Sequence, residues 1–99
     1  MSGLEAMRIV AVIEIQPGKR DLVRDALREI SPLTLAEEGC LGYELYESET
    51  QPDTLITVED WRAPADLEFH QQTDYVQRVI EIASPMLAGA PTMHRVALV

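Results

Sequence analysis

The spacing of apolar residues changes period several times along the chain, and each change marks an element. Residues 7 to 15, MRIVAVIEI, are apolar on both alternating faces, with Ile9, Ala11, Ile13 and Ile15 on one and Val10 and Val12 on the other. That pattern predicts a strand buried on both sides at its centre. Pro17 and Gly18 punctuate a turn, and from Lys19 the spacing becomes helical, with Leu22, Val23, Ala26, Leu27 and Ile30 on one face and charges between them. Ser31-Pro32 is expected to kink or restart this helix, because proline lacks a backbone donor, and Gly39 to end the segment. Alternation returns in CLGYELYES, residues 40 to 48, with Leu41, Tyr43 and Leu45 on one face and Gly42, Glu44 and Tyr46 on the other. Gln51-Pro52-Asp53 supplies turn chemistry, and TLITVEDW, residues 54 to 61, is a third strand that pairs with the second as a hairpin. Ala63-Pro64 opens a short helix. Asp74 with Gln77 reads as the cap of a further helix, whose Val76, Val79, Ile80 and Ala83 share a face until Ser84-Pro85 interrupts it. After Gly89-Ala90-Pro91, MHRVALV, residues 93 to 99, reads as a fourth strand.

The order is β-α-β-β-α-β with a divided second helical region, the pattern of a ferredoxin-like α+β fold built on a four-stranded antiparallel sheet. No linker separates domains, so residues 1–99 are expected to form one domain with 1–6 as a loose tail. Helices of this fold lie on one side of the sheet, yet the first and third strands are apolar on both. Ile56 and Val58 oppose Leu55 and Thr57, as Val10 and Val12 oppose Ile9 and Ala11. An uncovered apolar face of this size predicts a homodimer packed sheet to sheet.

Charge narrows the partners. Seventeen acids against eight bases give a net charge of −9, which repels phosphate backbones and anionic lipid, so nucleic-acid and membrane roles are set aside. The acids are spread along the chain and read mainly as a solubilising surface. The single cysteine, Cys40, has no internal partner, and Met1 to Ala6 has neither the basic residue nor the apolar core of a secretory signal; a cytoplasmic protein is expected. His70 and His94 lie far apart and no Cys/His pair has ligand spacing, so no conventional metal site is expected.

Candidate chemistry gathers in EDWRAPADLEFH, residues 59 to 70. A chain with two histidines, one tryptophan and 5% aromatic residues sets Glu59, Trp61 and His70 close together there. Glu59 and Trp61 differ by two in a strand and share the face of Leu55 and Thr57. If Ile56 and Val58 form the dimer face, that face lies under the helices. Leu67 and His70 are three apart on the following helix and can lie over it. Structural roles compete: a strand-end tryptophan packs in cores, a carboxylate pairs with a base such as Arg78 or Arg95, and a helix histidine can be a satisfied core group.

Pro17-Gly18-Lys19, then Glu38-Gly39-Cys40-Leu41-Gly42-Tyr43, then Glu59-x-Trp61 followed by His70 resemble, in order and spacing, the antibiotic biosynthesis monooxygenase domains, small dimeric α+β barrel proteins. The resemblance spans nearly the whole chain. It implies a cofactor-free monooxygenase acting on quinol or polyketide-type phenols, whose deprotonated form passes an electron to oxygen without metal or flavin. Such chemistry asks for a base near neutrality, an apolar aromatic-walled pocket and a donor for developing charge. His70 suits the base and Glu59 could orient its imidazole. Trp61 and Leu67 suit the wall, and Tyr75 and Tyr43 the donors. Haem-degrading relatives carry a first-strand asparagine, and this chain has none, which argues against haem. Two alternatives stand beside the monooxygenase: an isomerase of a small carbonyl compound, which needs a cation such as Arg62, Arg78 or Arg95 to grip an anionic substrate, and a non-catalytic dimeric ligand-binding or regulatory module.

Overall fold

A computed structural model describes residues 6–99, so the expected loose tail lies, except for Ala6, outside the described residues. The elements follow the order β1 (Met7–Glu14), α1 (Arg20–Leu35), β2 (Cys40–Glu47), β3 (Thr54–Trp61), α2 (Pro64–Gln71), α3 (Asp74–Ala83), a 3-10 turn over Ser84–Met86, and β4 (Thr92–Val96). The strands form one sheet in the order β2-β3-β1-β4 with every neighbour antiparallel. This is the expected ferredoxin-like α+β arrangement, and β2 and β3 form the expected hairpin.

Period-two alternation fixes what each sheet face carries. Ile9, Ala11 and Ile13 of β1 stand opposite Glu59, Thr57 and Leu55 of β3, and all six are buried. On the other face Val10 pairs with Val58 and Val12 with Ile56, and these four are only half-buried. The helices therefore cover one face of a sheet whose two central strands are apolar on both.

Three local expectations change. Leu41 does not share the face of Tyr43 and Leu45. The β2–β3 register shifts between Cys40, opposite Trp61, and Gly42, opposite Asp60. Leu41 is the extra residue of this bulge and is 59% exposed, while Cys40 turns inward against Met7, Ile9 and Trp61. A bulge advances the chain by one residue and so reverses the alternation before it. Helix α1 neither restarts at Pro32 nor runs to Gly39; it continues through the proline and stops at Leu35. One backbone bond is lost, but Ile30 and Thr34 on either side are buried and the Thr34 hydroxyl donates to the Ile30 carbonyl at 2.9 Å. Burial of that last turn outweighs the missing donor. Finally, α3 is capped by Thr73, whose hydroxyl accepts from the Val76 N–H at 3.4 Å, with Asp74 as the first helical residue.

Gly39 joins the turn before β2 to the start of α2. The Arg62 N–H donates to the Gly39 carbonyl at 2.8 Å, and the Arg62 guanidinium holds Asp66 through contacts of 2.8 and 3.0 Å. A Cβ on Gly39 would overlap the Asp66 side chain, whereas one on Gly89 would meet nothing. Gly39→Ala is therefore expected to cost about 1–3 kcal/mol of stability. Gly89→Ala should stay within about 0.5 kcal/mol of the parent chain. Chemical denaturation of the two variants side by side checks both.

Candidate active site

Alternation along β3 carries Glu59 and Trp61 under the helices, as their spacing predicts, and both are buried. An ionised carboxylate removed from water needs hydrogen bonds to replace its hydration. Glu59 finds them on its own strand: the Thr57 hydroxyl donates to Oε2 at 2.7 Å and the Trp61 indole N–H to Oε1 at 3.1 Å. Two residues apart on one strand face is the spacing that lets all three side chains meet.

Trp61 is fully buried and its ring lies against His70, with centroids 4.8 Å apart. His70 sits in the last turn of α2 and is 6% exposed. Its Nδ1 is 2.7 Å from Oε2 of Glu37, and the Tyr75 hydroxyl donates to the same oxygen at 2.5 Å. The partner of the imidazole is thus Glu37, in the turn after α1, and not Glu59, whose oxygens are engaged within β3. Glu37 escaped the sequence reading because it stands beside Glu38 in what resembles a solvated acidic turn. Glu38 is solvated, at 88% side-chain exposure, while Glu37 is turned inward at 6%. No local pattern separates the two. Tyr43 and Tyr75 complete the surroundings of His70, their ring centroids 6.2 and 6.5 Å away. Three of the five aromatic residues of the chain thus enclose one histidine.

Between the sheet and the helices lies a cavity of about 320 Å³. Its wall is largely apolar, from Ala11 and Ile13 on the sheet to Val23, Ile30 and Val79 on the helices. Polar character enters it through Tyr43, Thr57, Glu59, His70, Gln71 and Ser84. Leu67 also lines it. Trp61 and Tyr75 do not; the first packs against His70 and the second against Glu37. Among the described residues no lysine or arginine reaches the wall. Arg62 is spent on Glu38 and Asp66, and Arg95 lies beside a separate depression with Leu41 and Asp60. His94 stands opposite Val10 and shares the uncovered sheet face, away from His70. No group of three or more His, Cys, Asp or Glu side chains that could hold a metal ion occurs among the described residues.

Fold and sequence together place this site in a known class. The sequence profile of the antibiotic biosynthesis monooxygenase family matches residues 6–82, and the chain belongs to that family. Among its relatives is YgiN of Escherichia coli, described as a probable quinol monooxygenase, 32% identical over 85 residues that cover 76% of this chain and 82% of that one. An uncharacterized Synechocystis protein, sll1783, is 30% identical over 77% of this chain, which spans about half of that relative's length. Among solved structures, PA3566 from Pseudomonas aeruginosa superposes with a TM-score of 0.88 at 25% identity, covering 96% of this chain and 95% of the other.

The two enclosed tyrosines generate a test of the geometry. Burial first, and then the bond to the Glu37 carboxylate, push the Tyr75 phenol up to about 12. Burial and the nearby Glu59 raise Tyr43 as well, and the exposed Tyr46 is raised by its bond to Glu44. Folding therefore favours the neutral phenols. The contribution of Tyr75 is present below the ordinary tyrosine range and is lost as pH climbs through about 12. At pH about 10, where unfolded tyrosine is half ionised, the native chain should show little phenolate absorbance in the ultraviolet and the unfolded chain about half of its full signal.

Proposed function

We propose that this chain is a cofactor-independent monooxygenase of quinol or polyketide-type phenolic substrates, with His70 as the base. The observation that carries the reading is a buried imidazole, bonded through one nitrogen to a carboxylate, in the wall of an apolar cavity that no lysine or arginine of the described residues reaches. A neutral, flat aromatic alcohol suits such a wall. The family and its quinol monooxygenase relative support the same reaction class.

His70 would take the proton of a substrate hydroxyl. The resulting anion passes one electron to O2, and the radical pair combines at a ring carbon to give a peroxide. Cleavage of the O–O bond leaves one oxygen on that carbon in place of its hydrogen and releases the other as water, so a hydroquinone and O2 become a hydroxyquinone and H2O. The proton held by His70 returns to the departing hydroxide. Tyr43, neutral and in the wall, is placed to donate to developing negative charge, and the apolar lining strengthens that donation by excluding water. An isomerase acting on a phosphorylated compound would need a cation, and none of the described residues brings a lysine or arginine to this wall.

The half-buried Val10, Val12, Ile56 and Val58 support a homodimer packed through the uncovered sheet face. Light scattering should report the mass of two chains at micromolar concentration, and Val58→Lys should shift it toward one. A clean monomer in the parent chain would remove the dimer. For the reaction, oxygen uptake is measured with a panel of hydroquinones and anthrone-like phenols. His70→Ala is expected to lower kcat about 10²–10⁴-fold on any active substrate. Uptake unaffected by the substitution would exclude His70 as the base, and no uptake from any substrate would favour a ligand-binding module.

A further inference from the structure

Glu37 presents an unusual arrangement for a buried carboxylate. Both of its donors, His70 Nδ1 and the Tyr75 hydroxyl, converge on Oε2, while Oε1 is buried and has no partner among the described residues. The donors come from different helices, His70 from the end of α2 and Tyr75 from the start of α3, and Glu37 itself from the turn after α1. Neither His70 nor Glu37 exceeds 8% side-chain exposure. If joining three elements were all that was needed, apolar side chains of similar volume would do it without burying a charge.

What Glu37 does that an apolar residue could not is choose a tautomer. An ionised carboxylate only accepts hydrogen bonds, so Nδ1 must carry the proton, and the neutral ring keeps its lone pair on Nε2. Nε2 makes no hydrogen bond among the described residues, and His70 forms part of the cavity wall. Tyr75, absent from that wall, spends its hydroxyl on Glu37, with a second, longer contact of 3.4 Å to the Leu33 carbonyl. Glu59 is spoken for by Thr57 and Trp61 and has no such hold on the ring.

We propose that Glu37 is a positioning residue that fixes His70 as its Nδ1–H tautomer with the Nε2 lone pair available to substrate, and that Tyr75 holds Glu37 in place and is not a substrate ligand. This rests on the reading of His70 as a base, but its geometric half can be tested without turnover. The chain has only two histidines, so nitrogen-15 correlation spectra of the neutral rings resolve both, and His94 serves as the internal reference. The intact protein should show His70 protonated at Nδ1; a ring protonated at Nε2 would overturn the proposal before any variant is made. Glu37→Leu should move His70 toward the Nε2–H form. Glu37→Gln should lower kcat about 10–100-fold with KM changed less than about twofold, and Tyr75→Phe should have a smaller effect of the same kind. Glu37→Asp should recover less than the parent and more than Glu37→Leu. A Tyr75→Phe effect confined to KM would make Tyr75 a substrate ligand, and unchanged kcat in Glu37→Leu, which removes the acceptor, would leave Glu37 a structural tie; either result sinks the proposal. The expected tautomer in a protein that consumes no oxygen would instead retire the monooxygenase reading and leave the placement of the ring standing.

Discussion

Two buried carboxylates with no lysine or arginine partner among the described residues govern how this small domain is assembled. Each must replace its hydration with hydrogen bonds, since an isolated ionised carboxylate inside a protein is far too costly to keep. Glu59 solves the problem locally, with Thr57 and Trp61 of its own strand as neutral donors. Glu37 has no donor of that kind within its turn and is met by His70 from α2 and Tyr75 from α3. The two bonds to its Oε2 are therefore made only when both helices lie where they do. The requirement of one side chain thereby fixes the seating of two helices over the sheet.

The cavity follows from the same seating. Helices held at their ends by polar contacts, and packed along their length by Ile30, Val76 and Val79, leave space over the middle of the sheet where Ala11 and Thr57 are small. That space is walled mainly by carbon, and its polar groups are hydroxyls, an amide, a carboxylate and an imidazole. Electrostatic interactions are stronger in such surroundings than in water, so the direction in which His70 presents its lone pair matters more than it would at a surface. The fold hosts other chemistries, and the distinguishing information lies in this wall.

Much of this was readable in the pattern of residues, and the exceptions share a cause. The alternation of TLITVEDW put Glu59 and Trp61 on the helix-facing side, and the spacing of Leu67 and His70 put both above it; the structure agrees. The same kind of reasoning misplaced Leu41, because a bulge leaves no mark in the alternation except the phase it reverses. It overrated Pro32, whose effect on α1 depends on the burial of Ile30 and Thr34 around it. It assigned the imidazole to Glu59, the acid near His70 in sequence, when the contact belongs to an acid 33 residues away.

The sequence by itself determined the order of elements, the two faces of the central strands and the gathering of rare side chains at the end of the third strand. Those properties depend on periodicities of two and 3.6, which each segment carries within itself. Only the tertiary structure decided that Glu37 turns inward while Glu38 meets water, that Trp61 packs against the histidine without entering the cavity wall, and that among the described residues no lysine or arginine reaches that wall. Such facts depend on which distant segments come to share a volume, and the balance of hydration against burial for one carboxylate is settled there and not in the residues beside it.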